Sequence, residues 1–193
     1  MKKICVYCGS SLGRSEAYQN TAIALGKELA RQNITLVYGG ASVGIMGILA
    51  DTVLEYGGEV IGVIPKDILA KEVGHNGLTE LHIAENMHER KKLMETLSDG
   101  FIALPGGMGT LEELFEVLTW GQLGFHHKPI ALMNVAGYYD HLIKHMEHSV
   151  QESYVRPEHT KMLMIDDDPA SLIKQMNDYQ PPVVSKWIKD DEI

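Results

Sequence analysis

The feature that most limits the fold is a repeated order: a short apolar run, a glycine, then helical spacing. Lys3–Tyr7 reads as a strand stopped by Gly9-Ser10, and Glu16–Arg31 then places Ala22, Leu25 and Leu29 at helical intervals. Ile34–Tyr38 is a second strand ending in Gly39-Gly40, followed by a helix over Val43–Tyr56 and the stop Gly57-Gly58. Glu59–Ile64 is a third strand stopped by Pro65; a loop runs to about Gly77, and Thr79–Ala84 follows as a fourth strand. Asn86–Leu97 reads as a helix, Gly100–Leu104 as a strand ended by Pro105, and Thr110–Leu123 as an amphipathic helix. Pro129–Met133, Tyr138–Gln151, Lys161–Ile165 and Asp168–Asp178 continue the alternation. Such units predict an α/β fold, with a parallel sheet covered on both faces by helices. The nearly uniform apolarity of the strands agrees with double cover.

No composition shift divides the chain, so one domain over residues 1–180 is expected, with 181–193 as a tail docked by Trp187. At 193 residues the chain can bury about two-thirds of its unfolded surface. The formal net charge of −9 argues against a nucleic-acid partner, because phosphate backbones are repelled. No run approaches the ~20 apolar residues of a membrane span. The start, Met1–Ser11, is too short in apolar residues for a signal peptide, and two cysteines are too few for a disulfide scaffold. A cytoplasmic protein is expected.

Ligands of open α/β sheets bind at the carboxyl ends of the strands. The glycine clusters fall there: Gly9 after the first strand, Gly39-Gly40 after the second, Gly106-Gly107-Gly109 after the fifth. Gly9, Ser10, Gly40, Gly44 and Met46 are therefore candidate ligand contacts, and a nucleotide or sugar-phosphate site is expected.

The densest signal is Pro105-Gly106-Gly107-Met108-Gly109-Thr110-Leu111-Glu112-Glu113. Glycines admit an anion to backbone N–H groups, and the helix dipole favours it. Glu112 and Glu113 are expected in the first helical turn. Thr110-x-x-Glu113 equally fits a capping box, in which Glu113 only satisfies a backbone N–H. The loop is neither a Walker sequence nor the dinucleotide fingerprint.

Asn86-x-x-Glu89 also has capping character, and Arg90-Lys91-Lys92 follow near a helix N-terminus, against the dipole. Lys91 and Lys92 read as a solvated basic face. Cys5-x-x-Cys8 has redox spacing, but residues three apart on a strand face opposite sides. His141, His145 and His148 share a helical face, read as solvated rather than metal-binding. Asp168-Pro169 reads as an N-cap with proline at the first helical position.

The pattern P-G-G-x-G-T-x-x-E, preceded by Met87-His88-Glu89-Arg90-Lys91, resembles the Lonely Guy family of cytokinin riboside 5′-monophosphate phosphoribohydrolases. The resemblance extends from Cys8-Gly9-Ser10-Ser11 through Gly44-Ile45-Met46-Gly47 to Thr119-Trp120 and Asn134-Val135-x-Gly137-Tyr138-Tyr139. One departure is Gly39-Gly40-Ala41, where many relatives have three glycines. The resemblance implies a Rossmann-like homodimer with sites near the interface and no metal or organic cofactor. It implies hydrolysis of AMP or N6-modified AMP, such as isopentenyl-AMP, to free base and ribose 5-phosphate.

It further implies that Arg90 and Glu113 are essential, with substrate contacts at Glu72, Arg90, Lys91, Gly107, Met108, Gly109, Thr110, Leu111, Glu112, Glu113 and Thr119. Glu113 would stabilise an oxocarbenium-like ribose and orient or deprotonate water. Glu112 would hold ribose hydroxyls, and Arg90 a phosphate or carboxylate. Relatives also carry the label lysine decarboxylase, but the sequence offers no distinctive lysine for a Schiff base. A binding protein of the molybdenum-cofactor-carrier kind shares the architecture and is the alternative.

Overall fold

The computed structural model describes residues 1–69 and 74–182. The expected tail lies, from Val183 on and including Trp187, outside the described residues, as does Glu72. Seven strands form one parallel sheet: β1 (Lys3–Tyr7), β2 (Thr35–Tyr38), β3 (Val60–Pro65), β4 (Glu80–Ala84), β5 (Gly100–Ala103), β6 (Ile130–Met133) and β7 (Leu163–Asp166), in the order β4-β3-β2-β1-β5-β6-β7. The helices are α1 (Glu16–Arg31), α2 (Gly44–Glu55), α3 (Lys66–Leu69), α4 (Met87–Leu97), α5 (Met108–Gln122), α6 (Asp140–Gln151), α7 (Pro157–Thr160) and α8 (Pro169–Asn177).

Alternate residues of the central strands enter two cores. Ile4, Val6, Leu36, Tyr38, Ile102 and Met133 pack with Leu25, Leu29, Leu49 and Ile173 on one face. Cys5, Tyr7, Val37, Phe101 and Leu132 pack with Met94, Leu114 and Val117 on the other. This is the double cover that uniformly apolar strands require. It also puts Cys5 and Cys8 in different cores, both free, so the strand-face argument against a redox pair holds. Edge strand β4 differs, with Glu80, Leu81 and Ile83 exposed.

The sequence expectations hold for β1 and α1 to the residue. Asp168 caps α8 by accepting from the Ser171 N–H at 2.7 Å, with Pro169 next. Three local readings need correction. The expected helix from Tyr138 starts at Asp140, because Ala136 and Gly137 take left-handed φ of 50° and 71° in a preceding 3₁₀ turn. The segment after Pro65, read as loop, opens with the single turn α3. Helix α5 begins at Met108, not Thr110, and its N-cap is Gly107, which has no side chain to cap with. The Thr110-x-x-Glu113 capping box is therefore overturned, and Glu112 and Glu113 lie beyond the first turn.

The strand order places the topological switch between β1 and β5. Successive strands run outward from β1 to β4, and the chain then returns to lay β5 on the other side of β1. The loops after β1 and β5 diverge there, opening a crevice at the carboxyl end of the sheet. Leu104 N–H still donates to Tyr7 O at 2.9 Å, and Gly9 N–H to Pro105 O at 3.3 Å, so the crevice floor is hydrogen-bonded.

Candidate active site

A cavity of about 330 Å³ occupies that crevice. Its walls are Val6 to Ser10 at and beyond the end of β1, Gly39 after β2, Met46 of α2, Ile64 and Pro65 at the end of β3, Ile68 of α3, Arg90 and Met94 of α4, and Gly107 to Thr110 with Glu113 at the start of α5. Its chemistry centres on Arg90 and Glu113.

Helix α4 presents Arg90. Asn86 Oδ1 accepts from the Glu89 N–H at 3.0 Å, and the Glu89 carboxylate accepts from the Glu85 N–H at 2.8 Å. The expected capping at Asn86 is thus present, and it fixes where the helix starts. Arg90 then lies in the second turn, over the end of β3. Its Nε donates to Val63 O at 3.0 Å, and its Nη1 donates to Glu113 Oε1 at 3.0 Å. Arg90 and Glu113 side chains are 13% and 11% exposed, so the pair is nearly dry. Burial pushes the Glu113 carboxyl up from its ordinary range, while the Arg90 guanidinium opposes the shift.

The start of α5 supplies the polar floor. The N–H groups of Met108, Gly109 and Thr110 fall in the first turn, where helices lack internal acceptors. With the dipole, they make a site for an anion. The three glycines of the loop divide into two kinds. A Cβ at Gly106 would run into the Thr110 side chain and come within 3.0 Å of Gly9 N, so packing demands Gly106. A Cβ at Gly107 or Gly109 would meet nothing within 4 Å. Packing does not require those two glycines; their bareness keeps the cavity open.

The structure divides the residues singled out from sequence. Gly9, Ser10, Met46, Arg90, Gly107, Met108, Gly109, Thr110 and Glu113 line the cavity together. Gly40 and Gly44 do not; they shape loops. Gly44 has φ 61° and sits against the Ser10 carbonyl, while Gly40 has φ 78° and packs on Ile64. Leu111 packs against the core beneath α5. Thr119 is exposed nine residues beyond Thr110, about 14 Å along the helix. Glu112 is half-exposed and paired with Lys91.

Lys91 corrects the expectation of a solvated basic face. It is buried, and its Nζ is bound by Glu112 and, at 3.0 Å, by Glu116. Only Lys92 remains at the surface, paired with Glu95 at 2.9 Å. The α4 cations oppose their own helix dipole because α5 brings carboxylates to two of them.

Sequence reasoning missed two supports. Tyr138 and Tyr139 hydroxyls donate to Gly106 O at 2.6 Å and Leu104 O at 2.7 Å, clamping the strand end and glycine loop. Both tyrosines stood inside a motif, but nothing local predicts a carbonyl more than thirty residues away. Tyr138 also walls a second cavity of about 270 Å³, which shares Gly9, Ser10 and Gly107 with the first. His141, His145 and His148 are exposed on α6, as expected. His126 is instead buried, its Nε2 within 2.9 Å of Val117 O. Among the described residues, no group of three or more His, Cys, Asp or Glu side chains could hold a metal ion. Nor is any helix there long and apolar enough to cross a membrane.

Known proteins resemble this chain in two ways. Solved structures share the fold. A molybdenum cofactor binding protein from Rippkaea orientalis superposes with a TM-score of 0.68 at 20% identity, covering 92% of this chain and 97% of that one. The Moco carrier protein of Chlamydomonas reinhardtii gives 0.68 and 20%, covering 92% and 98%. Closer likeness in sequence lies elsewhere. A cytokinin riboside 5′-monophosphate phosphoribohydrolase of Arabidopsis thaliana is 46% identical over 180 residues, 93% of this chain and 84% of the relative. One from Oryza sativa subsp. japonica is 43% identical over 192 residues, 100% of this chain and 79% of the relative. The family model described as "Possible lysine decarboxylase" matches residues 46–176, from Met46 in the cavity wall through Arg90 and Glu113 to α8. By these matches the chain belongs to that family, the one that holds the cytokinin riboside 5′-monophosphate phosphoribohydrolases.

Proposed function

We propose that this protein hydrolyses the N-glycosidic bond of adenosine 5′-monophosphates, AMP or N6-modified AMP such as isopentenyl-AMP, to free base and ribose 5-phosphate. The observation that carries this reading is the nearly dry Arg90–Glu113 pair beside the open N-terminus of α5. The 5′-phosphate binds the N–H groups at Gly107–Thr110. The C1′–N9 bond breaks, the electron pair leaves with the base, and positive charge develops on the ribose. Glu113 stabilises that charge and accepts the proton of the water that attacks C1′; the departing base takes up a proton. A carboxyl raised by burial is a stronger base than a solvated one, which suits it to this step. Arg90 holds Glu113 in place and neutralises it between turnovers. None of these steps requires a metal or organic cofactor.

A decarboxylase using a Schiff-base lysine is not supported. Among the described residues that line the cavity none is lysine, and Lys91 is bound by two carboxylates.

The protein acts as a homodimer in this reading. Thr119 and Glu112 lie on the outer side of α5, away from the cavity, and share it with the exposed Phe115 and Leu123. A second copy covering that face accounts for substrate contacts at positions that one copy cannot bring to its own cavity. Light scattering on the purified protein tests this, and a monomer at working concentration overturns it. A cytoplasmic location fits the two free, buried thiols.

The deciding experiment incubates wild type and Glu113→Gln with AMP and isopentenyl-AMP and follows free base by chromatography. Release by wild type alone supports the reading. Tight binding without release favours a carrier instead, and turnover by Glu113→Gln refutes the role given to that carboxylate.

A further inference from the structure

Lys91 follows Arg90 on α4 but serves different partners. Its ammonium is held by Glu112 and Glu116, both on α5, and 9% of its side chain is exposed. Those carboxylates flank Glu113, one residue before it and three after. Consecutive cations of one helix thus grip three carboxylates of the next, Arg90 on the cavity side and Lys91 on the outer side. Burial works to lower the Lys91 ammonium, yet its hydrogen bonds to Glu112 and Glu116 outweigh that and raise it. Two of the three N–H donors of the ammonium are thereby engaged. Without it, three like charges would crowd one turn of α5.

We propose that Lys91 is a positioning residue: by binding Glu112 and Glu116 it ties α5 to α4 and keeps Glu113 in register with Arg90. Its catalytic meaning rests on the hydrolase reading; the ion-pair arrangement does not. The groups facing Glu113 are Arg90 and Lys91 from α4, Glu112 and Glu116 from α5, and Cys5, Tyr7 and Cys8 after and along β1. Burial keeps the two thiols and the phenol protonated. Of the charged groups, Arg90 and Lys91 hold the Glu113 carboxyl down, while Glu112 and Glu116 push it up with burial. Losing Lys91 removes one restraint and uncovers two opposing charges.

The test titrates the Glu113 side chain by carbon NMR in the ligand-free protein, its signal assigned through Glu113→Gln. Wild type, Lys91→Met, Glu116→Gln and the double variant are compared, and AMP hydrolysis is assayed on the same samples. Lys91→Met is expected to titrate at higher pH than wild type, Glu116→Gln at lower pH, and the double variant between the two. The acid limb of kcat/KM follows the same order, with the Lys91→Met loss in kcat rather than KM. A raised KM with an unmoved Glu113 titration would show that Lys91 holds substrate, and overturns the proposal. If Lys91→Met does not fold, the charge-balanced double variant decides against Glu116→Gln: a Glu113 titration above that of Glu116→Gln, with a lower kcat, supports the proposal, and values equal to those of Glu116→Gln overturn it. If wild type releases no base, the hydrolase reading fails, and the titration still decides the positioning role.

Discussion

Gly39 at the end of β2 and Arg90 on α4 compete for one space: a Cβ on Gly39 would fall on the Arg90 guanidinium. The Met46 sulfur, 3.1 Å from the same point, closes the other side. The strand end is bare so that the arginine can lie across it, from Val63 O to Glu113. Gly39→Ala therefore moves Arg90 without straining the backbone, because Gly39 does not adopt a left-handed φ. The expected loss in kcat/KM for AMP is about tenfold or more, equivalent to about 1.4 kcal/mol of transition-state stabilisation. Circular dichroism and melting are expected to stay near wild type. Unchanged kinetics would mean that the guanidinium position does not matter to turnover.

Glu113 makes the stability of the fold depend on pH. Its carboxyl is pushed up by burial, so the folded state binds the proton more tightly than the unfolded chain does. Its contribution to stability is then fully present below the unfolded pKa and is lost as pH rises through the folded pKa. Glu113→Gln keeps an oxygen for Arg90 and removes the buried charge. Its melting temperature relative to wild type is expected to be most favourable at pH 7 and to become less so towards pH 4. A difference that grows in the variant's favour with acid would contradict the direction of the shift.

Much of this arrangement is legible in the sequence. Apolar runs broken by glycine reveal the parallel sheet, because strands covered on both faces need no polar alternation. The cavity's glycines and its two charged residues stand in dense local motifs. The start of α5 is hidden because Gly107 caps the helix without a side chain, while Thr110-x-x-Glu113 imitates a cap further on. Lys91 looks solvated because its partners sit more than twenty residues away, on a helix whose orientation only packing decides. Tyr138 and Tyr139 are hidden for the same reason, since the carbonyls they clamp belong to the β5 loop.

A second buried carboxylate behaves in the opposite sense to Glu113. Glu95 accepts from Lys128 Nζ at 2.6 Å and from Lys92 Nζ at 2.9 Å, with 8% of its side chain exposed. Burial works to raise its carboxyl, but the hydrogen bonds from Lys128 and Lys92 outweigh burial and hold it below the ordinary range. This stability is present above the unfolded pKa and disappears as pH falls through the folded pKa. Glu95→Gln is expected to cost about 1.5–3 kcal/mol at pH 7, the range for hydrogen bonds to a charged group. Urea melts should show that cost shrinking below about pH 4.5, the ordinary glutamate value. A cost that persists in acid would assign the effect to packing.

The paired tyrosines separate stability from loop control. Tyr139 is 2% exposed, and its hydroxyl is the hydrogen-bond donor to Leu104 O at the end of β5. Tyr139→Phe leaves that buried carbonyl short of a partner, at a cost of about 1–3 kcal/mol in denaturant melts. Tyr138 lies at the surface, where water can replace its hydroxyl on Gly106 O, so Tyr138→Phe is expected to cost below about 1 kcal/mol. Gly106 leads into the first turn of α5, where the proposed reaction places the phosphate, and its carbonyl orients that turn. Tyr138→Phe should therefore raise KM for AMP while leaving the melt nearly unchanged, and Tyr139→Phe should do the reverse. Equal effects of the two variants on both measurements would show that the hydroxyls act as one clamp.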